Sequence, residues 1–222
     1  SRRQRQMCIR DRVLAAGVGI FCLFYFLYRL NVIPHRSYTN ADFDIPHYTS
    51  SVDADGDGID DQTDILQNVR TYIGTKPKYK SNYYQNGYPD DGCGVCTDVV
   101  AFGLLGAGYD LKELVEADYL AAPEAYPGIE EADPAIDFRR VANLKVYFAR
   151  NAISLTTDVN DIAEWQGGDI VIFEKHIGVV SDKRNRKGIA FVIHHANPWQ
   201  RDYEEDILET WGDIVGHYRV SE

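Results

Sequence analysis

A cysteine and a group of histidines are the residues of this chain whose types and spacing could do chemistry. Cys96 follows a glycine-rich turn and begins an apolar segment with helical spacing. A helix N-terminus favours a thiolate there, and a nearby imidazole can complete the activation. His176 and His194 each lie in a β-type apolar run. The pattern predicts nucleophilic catalysis by a Cys-His-His or Cys-His-Asn arrangement, in which His194 orients the base His176 and His195 or Asn197 are alternative supporting residues.

Hydrophobic spacing predicts the elements that must position these residues. Apolar residues at helical intervals predict helices over 64–74, 97–105, 111–120 and 139–150. From residue 168 onward, short β-rich runs predict strands over 169–174, 177–181, 189–194 and 214–220. Helices first and strands later indicate an α+β fold with an antiparallel sheet and the nucleophile at a helix N-terminus.

The composition limits the classes of partner. The chain has 222 residues, of which 45% are hydrophobic, and this suits one packed domain of medium size. Its 34 acidic and 23 basic residues give a formal net charge of -11. Because phosphate binding needs a basic face, nucleic acid is excluded as a partner. Four cysteines are too few for a disulfide scaffold, and no organic cofactor is expected.

The N-terminal part of the chain predicts a membrane attachment. Residues 13–33 are almost entirely apolar, interrupted by Arg29, whose long side chain can reach the membrane surface. We interpret them as a transmembrane signal anchor, with a cleaved signal peptide as the alternative. Residues 1–12 resemble a non-native leader, and residues 34–52 are typical of a tether. The prediction is a single-pass membrane protein whose large domain is extracytoplasmic, in the periplasm or outside the cell.

Residues 53–64 fit the pattern of an EF-hand-like calcium loop. Such a loop alternates carboxylates, places a glycine at its sixth position and completes an oxygen shell further on. Gly58 stands at that position, and a solvated acidic linker is the alternative interpretation. We expect a structural Ca2+ that braces the junction between tether and domain. Its predicted ligands are the carboxylates of Asp53, Asp55, Asp57, Asp61 and Asp64 and the backbone carbonyl of Ile59.

Several short segments resemble, in order, the signature blocks of the YijF-like family, a bacterial domain of unknown function. They are residues 94–100, 137–144, 168–171, 176–182, 192–194 and 216–219. The family is similar to the NlpC-type branch of the papain-like cysteine hydrolases, and the match runs from about Asp64 to the C-terminus. One departure is that His195 stands where the family usually has Asn.

The resemblance implies a papain-like hydrolase domain over residues 65–222. It implies that Cys96 is the nucleophile, that His176 is the general base and acid, and that His194 is the orienting third member. The implied reaction is hydrolysis of an amide through a thioester, with the Cys96 N–H as oxyanion donor. The implied substrate is a peptide, in particular the stem peptides of peptidoglycan, which an exported and anchored enzyme would meet.

Other interpretations stay open. Cys93 and Cys96 form a C-x-x-C ahead of a helix, which is typical of a thiol redox site, although a turn-rich loop precedes it. The same cysteines could hold zinc with two histidines, or close into a disulfide that inhibits the enzyme. A non-enzymatic alternative is a calcium-stabilised module that binds a peptide in the same cleft.

Overall fold

The computed structural model describes residues 2–29 and 31–222, which fall into two compact units. The first unit runs to His35 and contains one helix, α1 (Arg2–Arg29). Within it, Arg10–Arg29 is long and apolar enough to cross a membrane, a property that signal sequences share. Leu30, which the anchor prediction included, and Ser1 of the expected leader lie outside the described residues.

The second unit, Arg36–Glu222, begins with helices. The Asp60 side chain caps α2 by accepting the Thr63 N–H, so α2 begins three residues before the predicted start at Asp64. The helix over 97–105 begins one residue earlier than predicted, at Cys96. The helices of this unit are α2 (Asp61–Gly74), α3 (Cys96–Gly106), α4 (Leu111–Ala121), α5 (Pro134–Asp137) and α6 (Val141–Asn151).

The strands that follow the helices form one antiparallel sheet. In spatial order the strands are β3 (Ile153–Ser154), β8 (Ile214–Arg219), β4 (Ile170–Phe173), β5 (His176–Arg184), β6 (Ala190–Ile193) and β7 (Glu204–Glu205). The prediction of an α+β fold with N-terminal helices and an antiparallel sheet is confirmed. The segment expected as a loop over 83–94 ends in β2 (Cys93–Gly94), which pairs in parallel with β1 (Lys78–Tyr79).

The sheet buries both of its faces. Along β5, Ile177 and Val179 pack with α2 and α3 in one hydrophobic cluster. Val180 belongs to a second cluster on the opposite face, together with Phe173 and Trp165. Side chains alternate between the two faces of a strand, so His176, which pairs with Phe173, begins β5 on the face of the second cluster. β5 therefore packs against α2 and α3 on one face of the sheet, and His176 lies on the other face.

Residues 36–52, most of the expected tether, contain ordered structure that packs on the second unit. Tyr38 pairs with Arg184 through two backbone hydrogen bonds of 2.8 and 2.9 Å, and a 3₁₀ turn follows at Asn40–Phe43. The buried Arg184 guanidinium donates to the Asn40 side chain at 2.6 Å. The segment differs from a free tether because its polar groups satisfy a buried cation.

Candidate active site

The start of α3 is built so that Cys96 can approach the sheet. Gly92 has φ +70°, a left-handed conformation that favours glycine, and it turns the chain into β2. Gly94 lies against the Tyr72 hydroxyl, since a Cβ added there would be 2.1 Å from the hydroxyl oxygen. The chain then enters α3 at Cys96, which is half-buried and packs on the core.

A buried ion pair fixes this helix start. Asp98 accepts the Val95 N–H at 2.8 Å, which supplies a partner to the backbone just before the first turn. Its two carboxylate oxygens accept hydrogen bonds of 2.6 and 2.9 Å from Arg139, which also donates to the Asn82 carbonyl. Because both side chains are almost fully buried, each depends on the other for its charge to be tolerated.

The two predicted histidines are hydrogen-bonded to each other. Nε2 of His176 lies 2.9 Å from Nδ1 of His194. His194 is fully buried, and its Nε2 lies 3.1 Å from a carboxylate oxygen of Glu205. The Trp211 ring covers the pair, with its centroid 4.7 Å from the His176 ring and 5.1 Å from the His194 ring. The result is a chain of three titratable groups beneath an aromatic side chain.

Cys96 contacts the backbone of β5 next to the first of these histidines. Its sulfur is hydrogen-bonded by the backbone of Ile177, the residue that follows His176. No hydrogen bond joins Cys96 to His176 among the described residues. Burial raises the pKa of Cys96 to about 11, although the Ile177 and Thr97 amides oppose that shift. Burial, assisted by the charges of His194 and His195, lowers the pKa of His176 to about 3. Thiol and imidazole are therefore both neutral near pH 7.

The two alternative supporting residues occupy different places. His195 is buried, its ring contacts Tyr79 and Tyr203, and burial lowers its pKa to about 4. Its Nδ1 has no hydrogen-bond partner within the described part of the chain. Asn197 is exposed, and its side-chain oxygen accepts the N–H of Trp199. The hydrogen-bonded pair thus involves His194, and neither of the alternatives takes its place.

Sequence reasoning did not find Glu205 or Trp211. Glu205 lies on a two-residue edge strand, where no apolar alternation indicates which side chain faces inward. Its pairing with Val192 places it on the face of His194. Trp211 lies in the segment between β7 and β8, and its 39% exposed side chain offers no periodic signal. Strand register places Glu205 on the face of His194, whereas Trp211 reaches the histidines from the segment between β7 and β8.

Cys93 lies on β2 and, like Cys96, is a free thiol. Partial burial and a hydrogen bond to Asp91 raise its pKa. The cysteines do not meet the histidines as a zinc site would require. In the described residues, one group of three or more His, Cys, Asp or Glu side chains has ligand atoms within 4.8 Å of one another, and it contains neither cysteine.

That group consists of Asp53, Asp55 and Asp57, at the first three predicted ligand positions of the acidic loop. Gly58 has φ +93°, as the sharp turn requires, and its N–H donates to Asp53 at 2.9 Å. These three exposed carboxylates and the turn at Gly58 occupy the first half of the predicted calcium loop.

Two of the later predicted ligands, Asp61 and Asp64, already accept other hydrogen bonds. Asp61 accepts the Ala54 N–H and the Tyr109 hydroxyl, and Asp64 accepts the Asn68 side chain. Ile59 donates its N–H to Asp57 within the loop. Burial, with the charges of Asp57 and Asp55, raises the pKa of Asp64 to about 6. A cation bound by the first three carboxylates would relieve this repulsion, so the donor set fits in part.

The structure thus combines an α+β fold, Cys96 at the start of α3, His176 at the start of β5 and His194 directly after β6. The chain belongs to the family described as Domain of unknown function (DUF1287), whose profile matches residues 66–220. It is 37% identical over 167 residues to the uncharacterized protein YijF of Escherichia coli strain K12. That alignment covers 70% of this chain and 80% of YijF. The resemblance to the YijF-like family is thus confirmed, and no solved structure matches the chain.

Proposed function

We propose that this chain is a papain-like cysteine hydrolase, a peptidase or amidase of the NlpC type. One observation carries the proposal. The Cys96 sulfur, at the first residue of a helix, is hydrogen-bonded to the backbone directly after His176, whose ring is in turn bonded to His194. On this basis we assign the roles of nucleophile, base and orienting group to Cys96, His176 and His194, which come from separate elements.

The chemistry follows from the two neutral groups. As the sulfur attacks the amide carbon, the thiol proton passes to Nδ1 of His176, because Nε2 is engaged with His194. The proposed oxyanion donor is the Cys96 N–H, at the first residue of α3. His176 then protonates the leaving amine, which leaves a thioester. Water attacks the thioester and gives a proton to His176, which returns it to Cys96 as the acid departs.

The substrate proposed is a peptide, in particular a peptidoglycan stem peptide. Its support is the apolar helix near the N-terminus, which suits an anchored enzyme whose domain faces the cell wall. A second proposal concerns calcium. Asp53, Asp55 and Asp57 would hold the ion, which would brace the loop that precedes α2.

Digestion of purified cell wall tests the hydrolase. The full chain in detergent is incubated with wall material, and released fragments are identified by mass spectrometry. We expect new amino termini within stem peptides, loss of activity in Cys96→Ser and retention in Cys93→Ser. Loss in both variants would favour redox chemistry through the cysteine pair. Tight binding of peptide without cleavage, and without labelling of Cys96 by a thiol-directed probe, would favour a binding module.

A further inference from the structure

We propose that Glu205 is a positioning residue that sets the proton positions on the histidine pair and thereby makes Nδ1 of His176 the base. The inference rests on the proposed hydrolase function, but its geometric part can be tested without activity. It is carried by the hydrogen-bond chain from His176 through His194 to Glu205.

The argument starts from the carboxylate. An ionised carboxylate only accepts hydrogen bonds, so Nε2 of His194, 3.1 Å from Glu205, must carry a proton. Burial lowers the pKa of His194 to about 3, so the ring is neutral and has one proton. Nδ1 of His194 is therefore bare and accepts from Nε2–H of His176 at 2.9 Å. His176 is left with an unprotonated Nδ1, which can take the thiol proton.

Gln200 favours the opposite placement of protons on the two histidine rings. Its side-chain oxygen accepts the Ala196 N–H at 2.7 Å, which turns its NH2 group toward His194. That NH2 lies 3.3 Å from Nε2 and 3.2 Å from the carbonyl oxygen of His194. A hydrogen bond donated by Gln200 to Nε2 of His194 requires that this nitrogen carry no proton. The carboxylate prevails because its contact is shorter and carries charge, while the Gln200 amide is satisfied by the carbonyl.

The strand register makes the Glu205 contact specific. Glu205 pairs with Val192 on the neighbouring strand, so it shares the sheet face of His194. The preceding residue, Glu204, points to the other face, where it binds Arg70, Lys183 and Ser181. Of two adjacent glutamates, one serves the histidines and the other a separate ion-pair network.

The test compares the full chain with Glu205→Leu. That variant removes the acceptor at Nε2 of His194, so the partner left from this pair is Gln200, which donates. Ring-nitrogen shifts in ¹⁵N-labelled histidine report which nitrogen carries the proton. In the unmodified protein we expect Nε2–H on both rings. In Glu205→Leu we expect the protons on Nδ1 of both rings, with kcat lowered on the order of 100-fold or more and KM little changed. Glu205→Gln, which keeps an acceptor oxygen, should restore part of kcat.

The matched control is Glu209→Gln, an exposed glutamate paired with Lys187 on the surface, which should change neither shifts nor kcat. A proton on Nδ1 of His194 in the unmodified protein would overturn the inference, even if Glu205→Leu failed to fold. Unaltered ring protonation in a folded Glu205→Leu would overturn it as well. The absence of any hydrolysis would instead count against the proposed function, since the nitrogen shifts do not depend on turnover.

Discussion

At the scale of single residues, the site is defined by groups that burial keeps uncharged. Many cysteine nucleophiles have a lowered thiol pKa, but here burial of Cys96 outweighs the three backbone amides that favour its thiolate. The Cys96 thiol and the His176 imidazole are both neutral, so they do not form a resting ion pair. In the proposed mechanism, proton transfer must then accompany attack, and the position of every proton on the histidines matters.

The reactivity of Cys96 should consequently rise steeply with pH. In a Cys93→Ser variant, the rate of Cys96 alkylation by iodoacetamide should increase about tenfold per pH unit between pH 7 and 9, because the thiolate fraction does so below a pKa of about 11. Mass spectrometry of the Cys96 peptide measures the rate, and the chain unfolded in urea provides the reference. A rate that stays constant from pH 5 to 9 would contradict a neutral thiol.

Trp211 should control the proton affinity of the histidines. Its ring covers both imidazoles, so Trp211→Ala admits water and reduces the desolvation that lowers the pKa of His176. We expect the pKa of His176 to rise toward 6.5 in an NMR titration. Trp199→Ala is the matched control, because Trp199 is 85% exposed. An equal shift in both variants would assign the effect to general loosening rather than to the Trp211 contact.

At the scale of elements, the start of α3 depends on one buried ion pair. Asp98→Asn leaves the Arg139 guanidinium buried without its carboxylate, which should lower the free energy of unfolding by about 3–5 kcal/mol. Urea denaturation measures the change. Arg140→Ala is the control, because Arg140 is exposed and 3.9 Å from Asp137, so its loss should cost under about 1 kcal/mol. Similar values for the two variants would contradict the role of the buried pair.

The elements that sequence predicted best are those with apolar periodicity. Helices α3, α4 and α6 and strands β4, β6 and β8 lie within about two residues of their predicted bounds. The helices have apolar residues at helical intervals, and the strands are short apolar runs bounded by turn residues. The ordered segment before α2 was not predicted, since its order comes from hydrogen bonds to Arg184, far along the chain. The same reason hides Glu205, whose contact depends on strand pairing. Cys96, His176 and His194 could be named because their local patterns are strong, but their catalytic roles remain a prediction.

At the scale of the whole molecule, the buried histidines should make the protein sensitive to acid. His176, His194 and His195 have pKa values of about 3 to 4 in the folded chain and near 6.5 when unfolded. The unfolded chain binds their protons first, so their stability contribution is complete above pH 6.5 and falls as pH drops toward 4. Asp64, whose pKa is raised to about 6, acts in the opposite direction over part of that range.

Melting temperatures recorded from pH 8 to pH 4 test this expectation. We expect a steady fall that begins near pH 6.5 and a shallower fall in His195→Phe, which removes one of the three groups. Since each extra proton bound by the unfolded chain contributes about 1.4 kcal/mol per pH unit, the difference should be measurable. A melting temperature that is constant down to pH 4.5 would show that the histidines are charged or accessible in the folded protein.

Calcium should stabilise the fold if the acidic loop binds it. At a calcium concentration one hundred times Kd, the expected gain is about 2.7 kcal/mol, seen as a higher melting temperature that EGTA reverses. Asp55→Asn removes one of the three converging carboxylates and should abolish most of the gain. Asp213→Asn, at an exposed acid elsewhere, should retain it. An unmodified protein whose melting temperature ignores both calcium and EGTA would contradict the proposal.

The order of α3, β5 and β6 along the chain determines when the candidate site can form during synthesis. The thiol is on α3, while its histidines are on β5 and next to β6, roughly eighty residues later. A ribosome adds about 5–20 residues per second, so Cys96 is made several seconds before His176. During that interval the cysteine does not have the backbone of β5 to pack against. The candidate site therefore forms only after β5 and the residue that follows β6 have been made, and a chain interrupted before β5 would carry an unpartnered thiol.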